Sequence, residues 1–167
     1  MAISDIFVPW YYGDGFEKCS ILFQILAPTC IFSAFGTVIR SLYLIPNKKD
    51  SIYVISTFLG VIINMIINVL LINSMGSIGA SIGVLVAEFT VCLYQTISVW
   101  KDLDIKKYLS FSILFLMAGI LMYVIIKNFT IMNNSLFITL IINILIGIFI
   151  YFTCIILFVY FGYRKRR

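Results

Sequence analysis

The amino-acid sequence predicts an all-α protein that crosses a membrane several times. Hydrophobic residues make up 62% of its 167 residues and charged residues only 11%. A water-soluble domain of this length could not bury so much apolar surface. Apolar runs of about twenty residues recur, which is the length that a helix rising about 1.5 Å per residue needs to cross roughly 30 Å of hydrocarbon. We therefore expect a polytopic membrane helix bundle with about five transmembrane helices.

The predicted transmembrane domain occupies residues 19–161. Its spans are expected at residues 19–45, 51–73, 77–100, 109–126 and 136–161. Aromatic residues, a proline and two glycines cluster in residues 6–16, which is typical of an interfacial loop because Trp and Tyr favour the level of the lipid headgroups. We therefore expect residues 1–18 to be an outward-facing interfacial segment and the tail of a missing helix. Residues 162–167 are a basic tail.

The first span contains a proline and a basic residue. Pro28 removes one helical hydrogen bond and frees the carbonyl of Gln24, which predicts a kink there and makes Pro28 a candidate hinge. Gln24 is a candidate cavity residue because kinked helices often line transport cavities, although many only pack. Arg40 is the only basic residue within a predicted span. It is a candidate for binding an anion. Alternatively, its long side chain reaches the cytoplasmic headgroups, because Arg40 lies six residues before Pro46, roughly 9 Å along a helix that rises about 1.5 Å per residue.

The second span carries small and amide residues on one face. Gly60, Asn64 and Asn68 recur every four residues, so they share one side of the helix. An amide in hydrocarbon needs a partner, so this face is expected to meet protein or a cavity rather than lipid. Two interpretations stay open for Asn64 and Asn68, namely helix–helix contact and substrate contact.

The third span follows a short turn at Ser74–Gly76 and begins with a ridge of small residues. Gly79, Gly83 and Ala87 recur every four residues, and such a ridge predicts close helix packing. Glu88 comes next, near the middle of the span, where a charge must be neutralised, paired or hydrated. Glu88 is therefore a candidate site for coupling to protons or cations, or else a packing partner for an amide of the second span.

The distribution of Lys and Arg predicts the orientation of the chain. Alternate loops place nine basic residues on one side of the membrane and two on the other. Because cytoplasmic loops carry the excess of basic residues, the C-terminus is expected to be cytoplasmic.

Composition also argues against several classes of function. The four cysteines are scattered and the chain has no His, so no metal site or cofactor is expected. The net charge of +5 lies in short loops rather than on one continuous surface, so we expect no nucleic-acid partner. The outward connections are too short for a catalytic site, so an embedded enzyme is disfavoured and catalytic residues are not expected.

Several short segments, in their order along the chain, carry a resemblance to a known family. They are Phe7 to Gly13, Leu26 to Pro28, Tyr43 to Lys48, Gly60 to Asn68, Ile78 to Ile82 and Val86 to Glu88. Residues 6 to about 107 resemble the C-terminal part of a bacterial polysaccharide flippase, one of the O-antigen and capsule translocases of the multidrug/oligosaccharidyl-lipid/polysaccharide exporter superfamily. The resemblance implies a partial C-terminal lobe of a MATE-like exporter.

That resemblance also implies a function. Members of the family move undecaprenyl-pyrophosphate-linked oligosaccharide repeat units across the inner membrane without hydrolysing ATP themselves. We therefore expect a truncated polysaccharide transporter of the bacterial inner membrane, with membrane lipids, the lipid-linked oligosaccharide and a separate N-terminal lobe as partners. The substrate candidates are Arg40, Asn64, Asn68 and Gln24, and the coupling candidate is Glu88. The alternatives are a fragment of a cation-coupled multidrug exporter and a non-catalytic scaffold that pairs with a separate N-terminal lobe.

Overall fold

The described chain is helical, without a strand. The computed structural model describes residues 3–13, 15–128 and 136–164, and the side chains of all these except 106–111, 114, 136 and 157–164. Its α-helices are α1 Ser4–Tyr12, α2 Glu17–Ile39, α3 Asp50–Met75, α4 Ser77–Ser98, α5 Ile105–Asn128 and α6 Leu136–Arg164. A π-helical turn, Arg40–Leu44, continues α2. The predicted all-α fold is confirmed.

Within the described residues, four helices are long and apolar enough to cross a membrane. They are Glu17–Leu44, Asp50–Met75, Ser77–Ser98 and Phe137–Ile156. The apolar stretch described in α5, Phe115–Asn128, is shorter. A membrane helix bundle is thus confirmed, whereas the fifth span at residues 109–126 stays a prediction because some of its side chains lie outside the described residues.

The interfacial-loop interpretation of residues 6–16 is wrong for residues 6–12, which belong to α1. Aromatic contacts explain why a helix forms around Pro9. Phe7 stacks on Tyr11 one turn later with ring centroids 5.4 Å apart, and Trp10 stacks on Phe137 of α6 at 5.3 Å. Such pairs add to the stability of a short helix. Gly13, with φ of 78°, ends the helix in a conformation that glycine adopts most readily.

The chain forms two compact units. One comprises Met1–Ser20 with Lys106–Arg167, and the other comprises Ile21–Ile105. In the first unit α1 packs on α6, and Ser20 donates a hydrogen bond to Asp5. The second unit contains most of α2, the π-helical turn and the α3–α4 hairpin, and it holds the candidate site.

A single residue, Gly76, connects α3 to α4. Its φ of 55° and ψ of −127° are readily accessible only to glycine. The Gly76 N–H donates to Ile72 O at 2.9 Å, and Gly76 O accepts from Ala80 N at 3.2 Å. The turn is therefore shorter than the predicted Ser74–Gly76, since Ser74 and Met75 are helical.

The ridge of small residues on α4 packs against α3. A Cβ added to Gly79 would lie 2.7 Å from Leu71 Cβ and 2.8 Å from Leu71 O. A Cβ on Gly83 would lie 2.8 Å from Asn64 Oδ1, and Ala87 is 8% exposed. Gly79 and Gly83 thus allow the two backbones to approach more closely than larger residues would.

A hydrophobic cluster closes the end of this unit that carries the loops. Its buried members are Ile39, Leu44, Val99 and Ile105. Leu44, the last residue of the π-helical turn, is fully buried. The cluster therefore holds the end of α2 against the loop that follows α4.

Candidate functional site

A cavity of about 150 Å³ lies inside the second unit, between α2, α3 and α4. Its lining includes Gly36, Arg40, Tyr53, Glu88 and Gln95. Arg40 and Glu88, which the sequence indicates separately, thus face one space within the candidate spans. A cavity with converging polar groups is the expected form of a binding site.

Arg40 begins the π-helical turn. Its carbonyl accepts the N–H of Ile45 at 3.0 Å, five residues later, which marks the wider turn. Insertions of this kind occur frequently at functional sites. The turn ends at Leu44 in the hydrophobic cluster, so the backbone at Arg40 is held by packing on its C-terminal side.

The Arg40 side chain is directed back along α2 rather than towards the loop. Nη2 donates to Thr37 Oγ1 at 3.1 Å, and Cζ lies 5.0 Å from the centroid of the Tyr53 ring. Thr37 is one turn towards the N-terminus of α2, away from Pro46. Among the described residues no carboxylate pairs with Arg40. Because a guanidinium has five N–H donors, most of them remain available to a ligand.

Glu88 lies on α4 and is half-buried at the cavity wall. The described residues form no ion pair with it. No hydrogen bond joins Glu88 to Asn64 or Asn68. The structure therefore does not show the predicted partnership between Glu88 and these amides. Its carboxylate is the acidic group of the cavity lining.

Gln95 is a site residue that the sequence interpretation missed. It is 1% exposed, and Nε2 donates to Ser56 Oγ of α3 at 2.8 Å. Its Oε1 is buried and has no hydrogen-bond partner among the described residues. The rule applied to the asparagines, that an amide within an apolar span needs a partner, would have indicated Gln95 as well.

Asn64 and Asn68 lie outside the cavity, against Gly83 in the α3–α4 contact. Asn68 Nδ2 donates to Asn64 Oδ1 at 3.2 Å. The structure therefore places both amides in helix–helix packing and outside the lining of this cavity, and their contact with a substrate stays a prediction. The face of α3 that carries Asn64 and Asn68 meets protein, as the sequence predicts, and the residue opposite them is Gly83 of α4.

Gln24 and Pro28 also lie outside the cavity lining. Gln24 is exposed on α2, and α2 continues on both sides of the half-buried Pro28. The hinge at Pro28 stays a prediction. Within the described residues no three His, Cys, Asp or Glu side chains cluster as metal ligands would.

Comparison with known proteins gives a limited result. No protein family profile and no solved structure matches the chain. Over 87 residues the chain is 34% identical to an uncharacterized membrane protein of Methanocaldococcus jannaschii. The matched segment makes up 52% of this chain and 20% of that protein. This chain is a membrane protein. The matched part spans only a fifth of the relative's length.

Proposed function

We propose that the chain is part of a transporter that moves undecaprenyl-pyrophosphate-linked oligosaccharide repeat units across the bacterial inner membrane. The observation that carries this proposal is the position of Arg40, whose donors face a cavity within the candidate spans. A cation inside the membrane is costly and is usually retained for function. Guanidinium groups match the oxygens of a phosphate in geometry and charge.

The surroundings of Arg40 support binding of an anion. Thr37 and the Tyr53 ring hold the guanidinium in place without neutralising it. A small cavity would accept the pyrophosphate while the polyprenyl chain stays in lipid. The product would be exported for O-antigen or capsule assembly, and the protein would perform no covalent chemistry.

The distribution of basic loops supports a cytoplasmic C-terminus. In that orientation the loops at residues 45–49 and 99–104 face the cytoplasm, and Arg40 lies near the leaflet in which the lipid-linked oligosaccharide is made. Glu88 would lie further out in the same cavity. Protonation or cation binding at Glu88 would then couple transport to an ion gradient.

The proposed transporter has further helices, beyond those of the described residues, in an N-terminal lobe. The relative is about five times as long as the matched segment, and an N-terminal lobe as a separate chain is the partner we propose. Affinity purification of this chain from membranes should recover such a lobe. Recovery of the chain only as a degraded monomer would contradict the partnership.

Complementation in the cell of origin tests the function. Deletion of the gene should remove surface polysaccharide and leave its lipid-linked precursor in the cytoplasmic leaflet. Wild-type protein should restore export, Arg40→Ala should not, and Arg40→Lys should restore it weakly because an ammonium lacks the fork geometry. Lys48→Ala, which removes an equal charge from an exposed loop, is the control.

These outcomes test the transport function and the role of Arg40 separately. Unchanged surface polysaccharide after deletion would refute the transport function. Full export by Arg40→Ala would remove Arg40 from the mechanism.

A cation-coupled drug exporter is the second candidate, favoured by the presence of Glu88, Tyr53 and Phe32 around one cavity. Acidic and aromatic groups are what a lipophilic cation binds. Efflux of ethidium that falls in Glu88→Gln and persists in Arg40→Ala would select this candidate. The polysaccharide function predicts no ethidium efflux.

A further inference from the structure

The side-chain amide of Gln95 has its orientation fixed by Ser56. Ser56 Oγ donates its proton to Tyr53 O at 2.7 Å, and a serine hydroxyl has only one proton to donate. Ser56 can therefore only accept from Gln95, which places the NH₂ group on the Ser56 side at 2.8 Å. Oε1 is turned the other way, towards Gly36, where an added Cβ would lie 3.3 Å from it.

The Gln95 Oε1 is an acceptor that lacks a protein donor. The residue is 1% exposed and lines the cavity, and this oxygen has no partner among the described residues. A buried carbonyl oxygen is costly to leave unpaired. A donor on a bound ligand would satisfy it, in the same cavity where Arg40 offers its own donors.

Arg40 and Gln95 line the same small cavity between α2, α3 and α4. A ligand whose phosphate meets Arg40 would therefore bring the groups next to that phosphate closest to Gln95.

We propose that Gln95 selects sugar phosphates that carry a hydroxyl or amide N–H on carbon 2, next to the carbon that bears the phosphate. This inference rests on the proposed transport function, which supplies the phosphate at Arg40. Gln95 is then a specificity-determining residue, and Ser56 is the positioning residue that sets its orientation.

Binding of matched probes to the full chain in lipid nanodiscs tests the inference. The probes are polyprenyl pyrophosphate carrying glucose, the same lipid carrying 2-deoxyglucose, and free glucose 1-phosphate. Wild-type protein should bind the glucose lipid about 5- to 100-fold more tightly than the 2-deoxy lipid, because the latter leaves Oε1 unpaired. Gln95→Leu should bind both lipids equally, and Ser56→Ala should reduce the preference by releasing the amide.

Each outcome decides between the proposals. Equal binding of both lipids by wild-type protein, or a preference that persists in Gln95→Leu, would overturn the role of Gln95 and leave the transport function standing. Absence of binding by every probe, both to the chain and to its complex with the proposed N-terminal lobe, would overturn both. Free glucose 1-phosphate that binds as tightly as the glucose lipid would identify a soluble sugar phosphate as the ligand and overturn the lipid-linked form. The comparison of the two lipids on wild-type protein requires no substitution, so it decides the matter even if Gln95→Leu does not fold.

Discussion

Lys49 Nζ lies 2.5 Å from Asp102 Oδ2 and joins the loop before α3 to the loop after α4. Lys49 Nζ also donates to the hydroxyl of Tyr43 at 3.3 Å. The hydrogen bond from Lys49 lowers the pKa of Asp102, and the bond to Asp102 raises the pKa of Lys49. This ion pair lies at the same end of the unit as the buried cluster around Leu44.

Asp102→Asn should lower the melting temperature slightly at neutral pH. The contribution of Asp102, whose pKa is lowered, is present above its usual value of about 3.9 and is lost as the pH falls through the lowered pKa. The contribution of Lys49, whose pKa is raised, is present below about 10.4 and is lost as the pH rises through the raised pKa. The difference in Tm from wild type should therefore be constant from about pH 5 to 9 and vanish in strong acid.

Circular dichroism of the purified chain in detergent, recorded against pH, measures this difference. Both side chains are partly exposed, so the effect should shrink in about 1 M salt, where the Debye length is about 3 Å. The control adds Lys48→Met, in the same loop, to Asp102→Asn. This second substitution should leave the pH profile of Asp102→Asn unchanged. A difference that persists in strong acid would mean that Asp102 acts through packing rather than charge.

Gly79→Ala should destabilise the α3–α4 hairpin. The added Cβ would lie 2.8 Å from the backbone oxygen of Leu71, and a backbone atom cannot move aside without separating the helices. We expect the free energy of unfolding in SDS titrations to fall by about 1–3 kcal/mol. Gly119→Ala on α5 meets nothing within 4 Å and should gain about 0.5–1 kcal/mol from helix propensity. Equal effects at the two positions would contradict close packing at Gly79.

The fold could be predicted because it depends mainly on the length and the apolar character of the helical segments. Apolar runs of membrane length fix the helices, and the spacing of Gly79 and Gly83 indicates the face that meets α3. Residues 6–12 were misassigned because Pro9 and the nearby glycines suggest a loop, while the contact of Trp10 with Phe137 depends on residues distant in sequence. Local pattern cannot show such a contact.

The sequence could indicate the charged residues of the candidate site, but it could not show that they line one cavity. A membrane-embedded Arg40 or Glu88 is notable in any helix, because a charge in hydrocarbon is costly. Their convergence on one cavity depends on how α2 lies against α4, which no periodicity within a single span reveals. The π-helical turn at Arg40–Leu44 is likewise invisible in the pattern, since it requires Leu44 to be buried by the loop after α4.

Under the proposed transport function, Glu88→Gln should abolish the response of export to an ion gradient while leaving substrate binding intact. The amide keeps the shape of the side chain but can neither bind a proton in this range nor neutralise a cation. Uptake of lipid-linked oligosaccharide into inverted membrane vesicles, measured with and without an imposed proton or sodium gradient, is the readout. Export that responds to the gradient as in wild type would exclude Glu88 as the coupling residue. Asp104→Asn, which removes an exposed loop carboxylate, is the control.

Gly60 and Val91 should show coupled effects on stability. A Cβ on Gly60 would lie 2.5 Å from Val91 Cγ2, and valine in a helix has little freedom to rotate away. Gly60→Ala alone should cost about 1–3 kcal/mol by overpacking, and Val91→Ala alone about 1–2 kcal/mol by lost burial. In the double variant the new methyl group occupies space that Val91 has vacated, so the total loss should be smaller than the sum by about 1–2 kcal/mol.

SDS-induced unfolding of the four proteins in the double-mutant cycle measures this coupling. Gly60→Ala combined with Leu93→Ala, at an exposed position of α4, is the matched control and should be additive within about 0.5 kcal/mol. If the Gly60 and Val91 pair were also additive, α3 would have to shift as a whole when Gly60 gains a methyl group. Such a shift would change the spacing of α3 and α4 along the cavity wall, and the substitution would then alter the shape of the cavity that Arg40 lines as well as stability. Coupling confined to the pair would show instead that the hairpin keeps its geometry and that the cavity is formed on a rigid support.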